Sequence, residues 1–346
     1  MSTPKHILII RLSAMGDVAM TVPVILSLIQ QNPDLKISFL TKAFYGTLFK
    51  DIPNVKVISA EVKTKHKGLK GLYRLSEELK AFQFDAVADL HNVLRSKILR
   101  FFLFWQSLKV KSINKGRAEK RALTRSKNKK FKPLKPTSQR YADVFKKFGF
   151  RVDLSNPHYL PKPELDQKII KDLNFFKAKK HIGIAPFAAY DGKTYPADLM
   201  QEVLRKLAEK EAVNIYLFGG GELEMSRLHN WALPYPNVYC VAGRYDFKTE
   251  LDLIANLNLM LSMDSGNGHL AAMYGVKVIT LWGLTHPYAG FAPFQQQESE
   301  QILADRKQYP FLPTSVYGIK KAPGYEKVMR SISPEDVVNR VKSVLD

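Results

Sequence analysis

Ten short apolar runs, each closed by a turn, punctuate this chain, and segments of helical period separate most of them. Few folds satisfy such a pattern. Near-continuous apolar runs read as strands buried on both faces, and parallel strands need a crossover between them, most often a helix. The fold class is therefore α/β.

In the first half the strands fall at HILIIR (His6 to Arg11), KISFLT (Lys36 to Thr41), VKVIS (Val55 to Ser59), DAVADL (Asp85 to Leu90) and LKVKSI (Leu108 to Ile113). Helices are expected over Val18 to Gln31, stopped by Asn32-Pro33, and over Leu69 to Phe82. PHYLPKPELD (Pro157 to Asp166) carries three prolines and reads as a linker. A second alternation follows, with strands at HIGIAP (His181 to Pro186), VNIYLFG (Val213 to Gly219), NVYCV (Asn237 to Val241), LNLMLSMD (Leu257 to Asp264) and VKVITLWG (Val276 to Gly283). Two Rossmann-like halves are expected, residues 1–160 and 161–330. A closing helix over 331–346 is expected to pack back on the first half, with Ser333 as N-cap and Pro334 at its first position.

The 45% apolar content supports real cores, and the formal net charge of +21 favours anionic partners. A single cysteine, Cys240, excludes an intrachain disulfide framework and fits a reducing compartment, so cytoplasm is expected. The apolar run before Arg11 is too short for a signal-peptide core. ILRFFLFWQSL (Ile98 to Leu108) is broken by Arg100 and falls well below the roughly 20 residues that span a bilayer.

In open α/β sheets ligands sit beyond the carboxyl ends of the strands, where helix starts point amides outward. Four turns there have unusual composition. In RLSAMGDVAMTVP (Arg11 to Pro23), Asp17 reads either as a helix N-cap or as a carboxylate available as general base. The turn is neither G-x-G-x-x-G nor a Walker A loop. In APFAAYDGKTYP (Ala185 to Pro196), Lys193 reads as a phosphate ligand or as a solvated loop lysine. In FGGGELEMSRL (Phe218 to Leu228), Glu222 either binds ribose hydroxyls or caps its helix.

The fourth turn, SMDSGNGHLAAMYG (Ser262 to Gly275), lacks the G-x-S-x-G elbow of a hydrolase and the spaced ligands of a zinc site. Two readings stay open there. One is an anion cradle made by the Ser265 hydroxyl and the amides from Ser265 to Gly268; the other is an aspartate-capped turn with a core histidine, His269.

Together these turns resemble glycosyltransferase family 9, the ADP-heptose:lipopolysaccharide heptosyltransferases and their relatives. The resemblance rests on RLSAMGDVAMTVPVILSL, ADLHNVLRSKILR, LSMDSGNGHLAAMYG and VITLWGLTHPYAGF, and it covers nearly the whole chain. It implies a GT-B fold of two facing Rossmann-like domains, the first on the acceptor side and the second holding the nucleotide-sugar. It implies inverting sugar transfer without a metal or other cofactor, from a donor such as ADP-heptose. Asp17 would then be the catalytic base, Lys193 would meet the diphosphate and Glu222 the ribose. Asp264, Ser265, Gly266 and His269 would line the sugar–phosphate region. Where the family carries threonines just before the lysine, this chain has Ala188 and Ala189, so two hydroxyl donors to the diphosphate are absent.

Between Arg95 and Arg151 lie 19 Lys and Arg against two acids, Glu119 and Asp143, which localises much of the charge. A flexible basic loop over Lys115 to Arg140, on the acceptor-side domain, suits a phosphorylated or acidic glycolipid acceptor. Arg95, Arg117, Lys120 and Arg121 are the acceptor-binding candidates. The neighbouring FFLFWQSLKVK reads either as core, over Phe101 to Trp105, or as a segment set into an anionic inner-membrane surface, which would make the protein peripheral there. Rival readings are a hexosyltransferase with another nucleotide-sugar and a nucleotide-sugar epimerase. Nucleic acid is not an expected partner, because no helix-turn-helix, zinc-finger or RNP signature is present.

Overall fold

The computed structural model describes residues 3–104, 108–319 and 322–345. Two compact units emerge, one formed by Met1–Lys115 with Thr137–Leu160 and the other by Gly116–Pro136 with Pro161–Asp346.

The first unit is a five-stranded sheet, β1 (His6–Ile10), β2 (Lys36–Thr41), β3 (Val55–Ser59), β4 (Ala86–Asp89) and β5 (Lys109–Ser112), in the order β3-β2-β1-β4-β5. Every pairing is parallel. Strand β1 is central, and Ile7 to Ile10 are fully buried, which is why that run shows no polar alternation. The helices are α1 (Met15–Ala19), α2 (Val22–Gln31), α3 (Ala43–Gly46), α4 (Gly68–Lys80) and α5 (Leu94–Phe104). The single helix expected from Val18 is in fact two. Thr21 becomes the N-cap of a new helix, and Pro23, with no N–H to give the preceding turn, sits in the first turn of α2.

Helix α6 (Arg117–Thr124) follows in the second unit and α7 (Thr137–Lys146) in the first. The segment expected to be a flexible loop on the acceptor-side domain is therefore corrected on both counts: its first part is helical, and Gly116–Pro136 groups with the second unit. The anchors explain the allegiance. Lys120 is buried with its ammonium 3.7 Å from the centroid of Phe291. Arg306 stacks 3.6 Å over Phe131, and the Lys129 ammonium donates to the carbonyls of Leu123 and Pro313. Burial and the nearby charge of Arg306 bring that ammonium's pKa down to about 8.

The second sheet has six strands: β6 (Lys180–Ala185), β7 (Val213–Leu217), β8 (Val238–Cys240), β9 (Leu259–Met263), β10 (Lys277–Trp282) and β11 (Gln301–Leu303). Their order is β11-β10-β9-β6-β7-β8, again parallel throughout. Around it lie α8 (Gln167–Asp172), α9 (Ala197–Ala208), α10 (Glu222–Ala232), α11 (Phe247–Asn256), α12 (Gly266–Ala272) and α13 (Pro334–Leu345). The hydroxyl of Ser333 accepts from the amide of Asp336, the cap expected for the last helix. That helix groups with the second unit. It packs against α9, β9 and β10, and Val337, Val338 and Val341 enter the second unit's core.

Candidate functional site

In the first unit, the turn after β1 holds Asp17 in the first turn of α1, where Ala14 is the N-cap. The Asp17 carboxylate reaches back to the Ala14 amide at 3.4 Å, so it caps weakly from inside the helix. Its stronger bond is an ion pair of 2.5 Å with the guanidinium of Arg11, which is buried while the aspartate side chain stays 30% exposed. Arg11 is itself fixed by donating to the carbonyl of Leu90 at 2.8 Å and by lying 5.9 Å from the centroid of the buried Tyr141. The Tyr141 hydroxyl donates to the Asp17 carbonyl. A carboxylate is thus held in one orientation by Arg11 and open to solvent.

The neighbouring turn after β4 is organised by Asp89, which is fully buried. It accepts from the amides of His91 and Asn92 and from the Ser96 hydroxyl, and Arg100 lies 3.5 Å away. This sets His91 near Arg11. Burial, then the charges of Arg11 and Lys115, depress the His91 pKa to about 3. The ring is therefore neutral beside the ion pair at ordinary pH.

His181 and His286, both buried in the second unit, are brought down to about 4, each mainly by burial. A free histidine titrates near 6.5, so as pH falls the unfolded chain takes up protons before the folded one does. The stability these rings and His91 contribute is complete above about pH 7 and drains away below roughly pH 6.5, down to about pH 4 for His181 and His286 and about pH 3 for His91, by about 1.4 kcal/mol per ring and pH unit. Thermal melting between pH 7.5 and 5 should show this loss, and His91→Asn should flatten the slope. An unchanged slope in that variant would remove His91 from the account.

In the second unit, the turns after β6 and β9 meet. The Lys193 ammonium lies 2.9 Å from the Asp264 carboxylate and 3.2 Å from the Asp264 carbonyl, with side chains 14% and 7% exposed. An ammonium has three N–H donors, and the hydrogen bond to the carbonyl uses one of them, so donor capacity remains for a ligand. Ser265 is the N-cap of α12 but makes no cap bond, and its buried hydroxyl has no partner among the described residues. Asp264 is spent on Lys193 and not on capping the helix. Gly268 lets α12 sit against β9, since a Cβ there would come within 2.6 Å of the Ser262 hydroxyl. His269 is buried on the same helix, and Gly266 is its first residue.

Three further glycines aim the lysine. A Cβ on Gly318, whose φ is +80°, would lie 2.5 Å from Lys193 Cγ. One on Gly192 would meet the Gly318 carbonyl at 2.5 Å, and one on Gly283 the Gly192 carbonyl at 2.8 Å. The segment that carries Gly318 hangs on the Leu284 carbonyl, which accepts from the amides of Thr314 and Ser315.

At the third turn the helix start is satisfied by Glu224, which accepts from the Gly220 amide at 2.9 Å. Glu222, the first residue of α10, is exposed and has no capping duty. Ala188 is half-buried against the core and Ala189 is exposed. Of the basic candidates, Arg95 is exposed on α5 in the first unit, whereas Arg117 and Arg121 are exposed one turn apart on α6 in the second. Lys120 is the exception, since its head is committed to Phe291. Sequence reasoning assigned nothing to Arg11, Tyr141, Asp89 or Gly318. Arg11 at least opened the quoted RLSAMGDVAMTVP and Asp89 stood in ADLHNVLRSKILR; Tyr141 had no local signal.

A sequence model described as glycosyltransferase family 9 (heptosyltransferase) matches residues 72–313. The chain is 27% identical to the lipopolysaccharide core heptosyltransferase OpsX of Haemophilus influenzae, over 99% of this chain and 97% of that protein. It is 23% identical to a lipooligosaccharide heptosyltransferase 2 of Campylobacter jejuni, over 96% and 95% of the two chains. Among solved structures, a family 9 glycosyl transferase from Veillonella parvula superposes with a TM-score of 0.75 at 18% identity, covering 99% of this chain and 97% of that one. The ADP-heptose lps heptosyltransferase II of E. coli superposes with a TM-score of 0.68 at 19% identity, covering 98% of each.

Proposed function

The chain belongs to glycosyltransferase family 9, the heptosyltransferases, with the GT-B fold, and from that premise we propose that it moves a heptose from ADP-heptose onto the lipopolysaccharide inner core. The transfer inverts the anomeric centre and needs no metal ion. The observation that carries the reading is the cluster of Lys193, Asp264 and Ser265 at the carboxyl ends of β6 and β9, where an ammonium donor and an unpartnered hydroxyl converge.

Asp17 acts as the base. It takes the proton of the attacking acceptor hydroxyl as the new bond to the anomeric carbon forms and the bond to the ADP oxygen breaks. Charge then builds on the departing diphosphate, where Lys193 and the Ser265 hydroxyl stabilise it. Glu222 binds the ribose. Gly266 and His269 shape the wall beside the sugar and phosphate. The pairing with Arg11 holds the Asp17 carboxylate in place to take the acceptor's proton. Arg95, Arg117 and Arg121 receive the acidic acceptor, and Lys120 supports Arg117 and Arg121 from within. Work at the cytoplasmic face of an anionic membrane follows from such an acceptor; among the described residues, no helix is long and apolar enough to cross a membrane.

The test is calorimetry and thermal shift against ADP, UDP, GDP, CDP, dTDP and ADP-heptose, with EDTA present throughout. A ligand bound only by the native state raises stability by about 2.7 kcal/mol at a hundred times its Kd. Selective stabilisation by ADP and ADP-heptose is expected. Preference for another nucleotide would reassign the donor, and no response to any of them would sink the cradle.

A further inference from the structure

Helices α4 and α5 of the first unit pack against each other, and each turns large apolar side chains outward. Leu69 and Tyr73 on α4, with Leu94, Phe101 and Phe104 on α5, are between 54% and 75% exposed. On α5 the outward stripe runs 94, 97, 101, 104, one helical face, while Ser96, Leu99 and Leu103 are buried on the other. The core reading of this segment thus holds for Leu103 and fails for Phe101 and Phe104; Trp105 lies outside the described residues. At the seam, the rings of Tyr73 and Phe102 meet edge to face with centroids 5.5 Å apart. Both helices therefore contribute to one surface.

Basic residues surround these side chains. From Lys63 to Arg74 the sequence KTKHKGLKGLYR holds five Lys and Arg and no acid, and all five are exposed. Lys65 pairs with Glu78, but Lys63, Lys67, Lys70 and Arg74 extend the field, as do Arg95 and Lys97 on α5. Helix α5 carries no acid at all. Aromatic and leucine side chains interleaved with ammonium groups match the boundary of a bilayer, where rings enter the headgroup region and cations meet lipid phosphates. A protein partner would call for a contiguous apolar patch with a less one-sided charge.

We infer that the outward face of α4 and α5 docks the protein on an anionic bilayer surface, with Phe101, Phe104, Leu69 and Tyr73 inserting and the Lys63 to Arg74 segment binding headgroup phosphates. The docking is a property of this face and does not depend on which sugar is transferred.

The experiment sediments the full chain with vesicles of phosphatidylcholine, with and without phosphatidylglycerol. Wild-type protein should bind the anionic vesicles, release with rising salt, and bind the neutral ones poorly. Phe101→Ser with Phe104→Ser should weaken binding at least tenfold while the melting temperature and the response to ADP stay as in wild type. Lys67→Glu with Lys70→Glu, at exposed positions, should do the same and decides the matter if the phenylalanine pair lowers the melting temperature. Equal binding to neutral vesicles, no binding to either, or both double variants binding like wild type overturns the inference, whatever the outcome for the donor.

Discussion

Asp17→Ala should lower kcat by a factor of at least about 10² to 10⁴, the range expected for removal of a positioned general base, while ADP still binds. The geometry gives the reason for the split. Asp17 lies in the first unit and the nucleotide is proposed to sit on residues of the second, so the substitution removes a proton acceptor without touching the donor's ligands. It also leaves Arg11 buried without its counter-ion, so a moderate fall in melting temperature accompanies the kinetic loss. Asp17→Asn also removes the counter-ion but keeps size and an acceptor oxygen for Arg11, so its melting temperature should fall less than that of the alanine variant while it stays as slow, because it cannot accept the proton. Single-turnover kinetics with calorimetry of ADP binding is the check, and turnover near the wild-type rate in either variant would remove Asp17 from the role of base.

Lys193→Met should reduce kcat/KM by about 10² to 10³, on the scale measured when one preorganised donor to developing negative charge is lost. The effect has two parts. The ammonium no longer meets the diphosphate, and Asp264, only 7% exposed, is left as a nearly buried charge without its partner. The second part destabilises the fold and the first does not. Adding Asp264→Asn to Lys193→Met removes the stranded charge, so the double variant should recover much of the melting temperature yet none of the activity. Recovery of both would mean that Lys193 serves the fold alone. Failure to recover stability would mean that the pair is not coupled as its 2.9 Å separation implies.

The sheets were legible because parallel strands buried on both faces leave near-continuous apolar runs. HILII and VNIYL are such runs, and both are strands. Strand β11 was missed because QIL is three residues long and follows the polar stretch QQQESE, too little for any periodicity to register. The allegiance of residues 116–136 was illegible for another reason. Lysine count predicts solvent exposure, and it does so correctly for Arg117 and Arg121, but Lys120 and Lys129 are held by a distant ring and distant carbonyls. Nothing near them in sequence announces Phe291 or Pro313. The site divides in the same way. Asp17, Lys193, Asp264 and Ser265 stand at strand ends where the topology says to look, whereas Arg11 needed the Leu90 carbonyl and the Tyr141 ring, 79 and 130 positions away, to show what it does.

Gly192, Gly283 and Gly318 come from three separate stretches of the chain and touch through bare backbone. The path of the lysine's stem is therefore set in large part by main-chain atoms, which no rotamer change can adjust, while the Asp264 carboxylate and carbonyl hold its head. Residues 314–319 are a natural place to change how the Lys193 ammonium is presented to a substrate. A transplanted loop will succeed there only if it brings its own glycine at position 318, because any other residue would turn the ammonium away before a new substrate arrived.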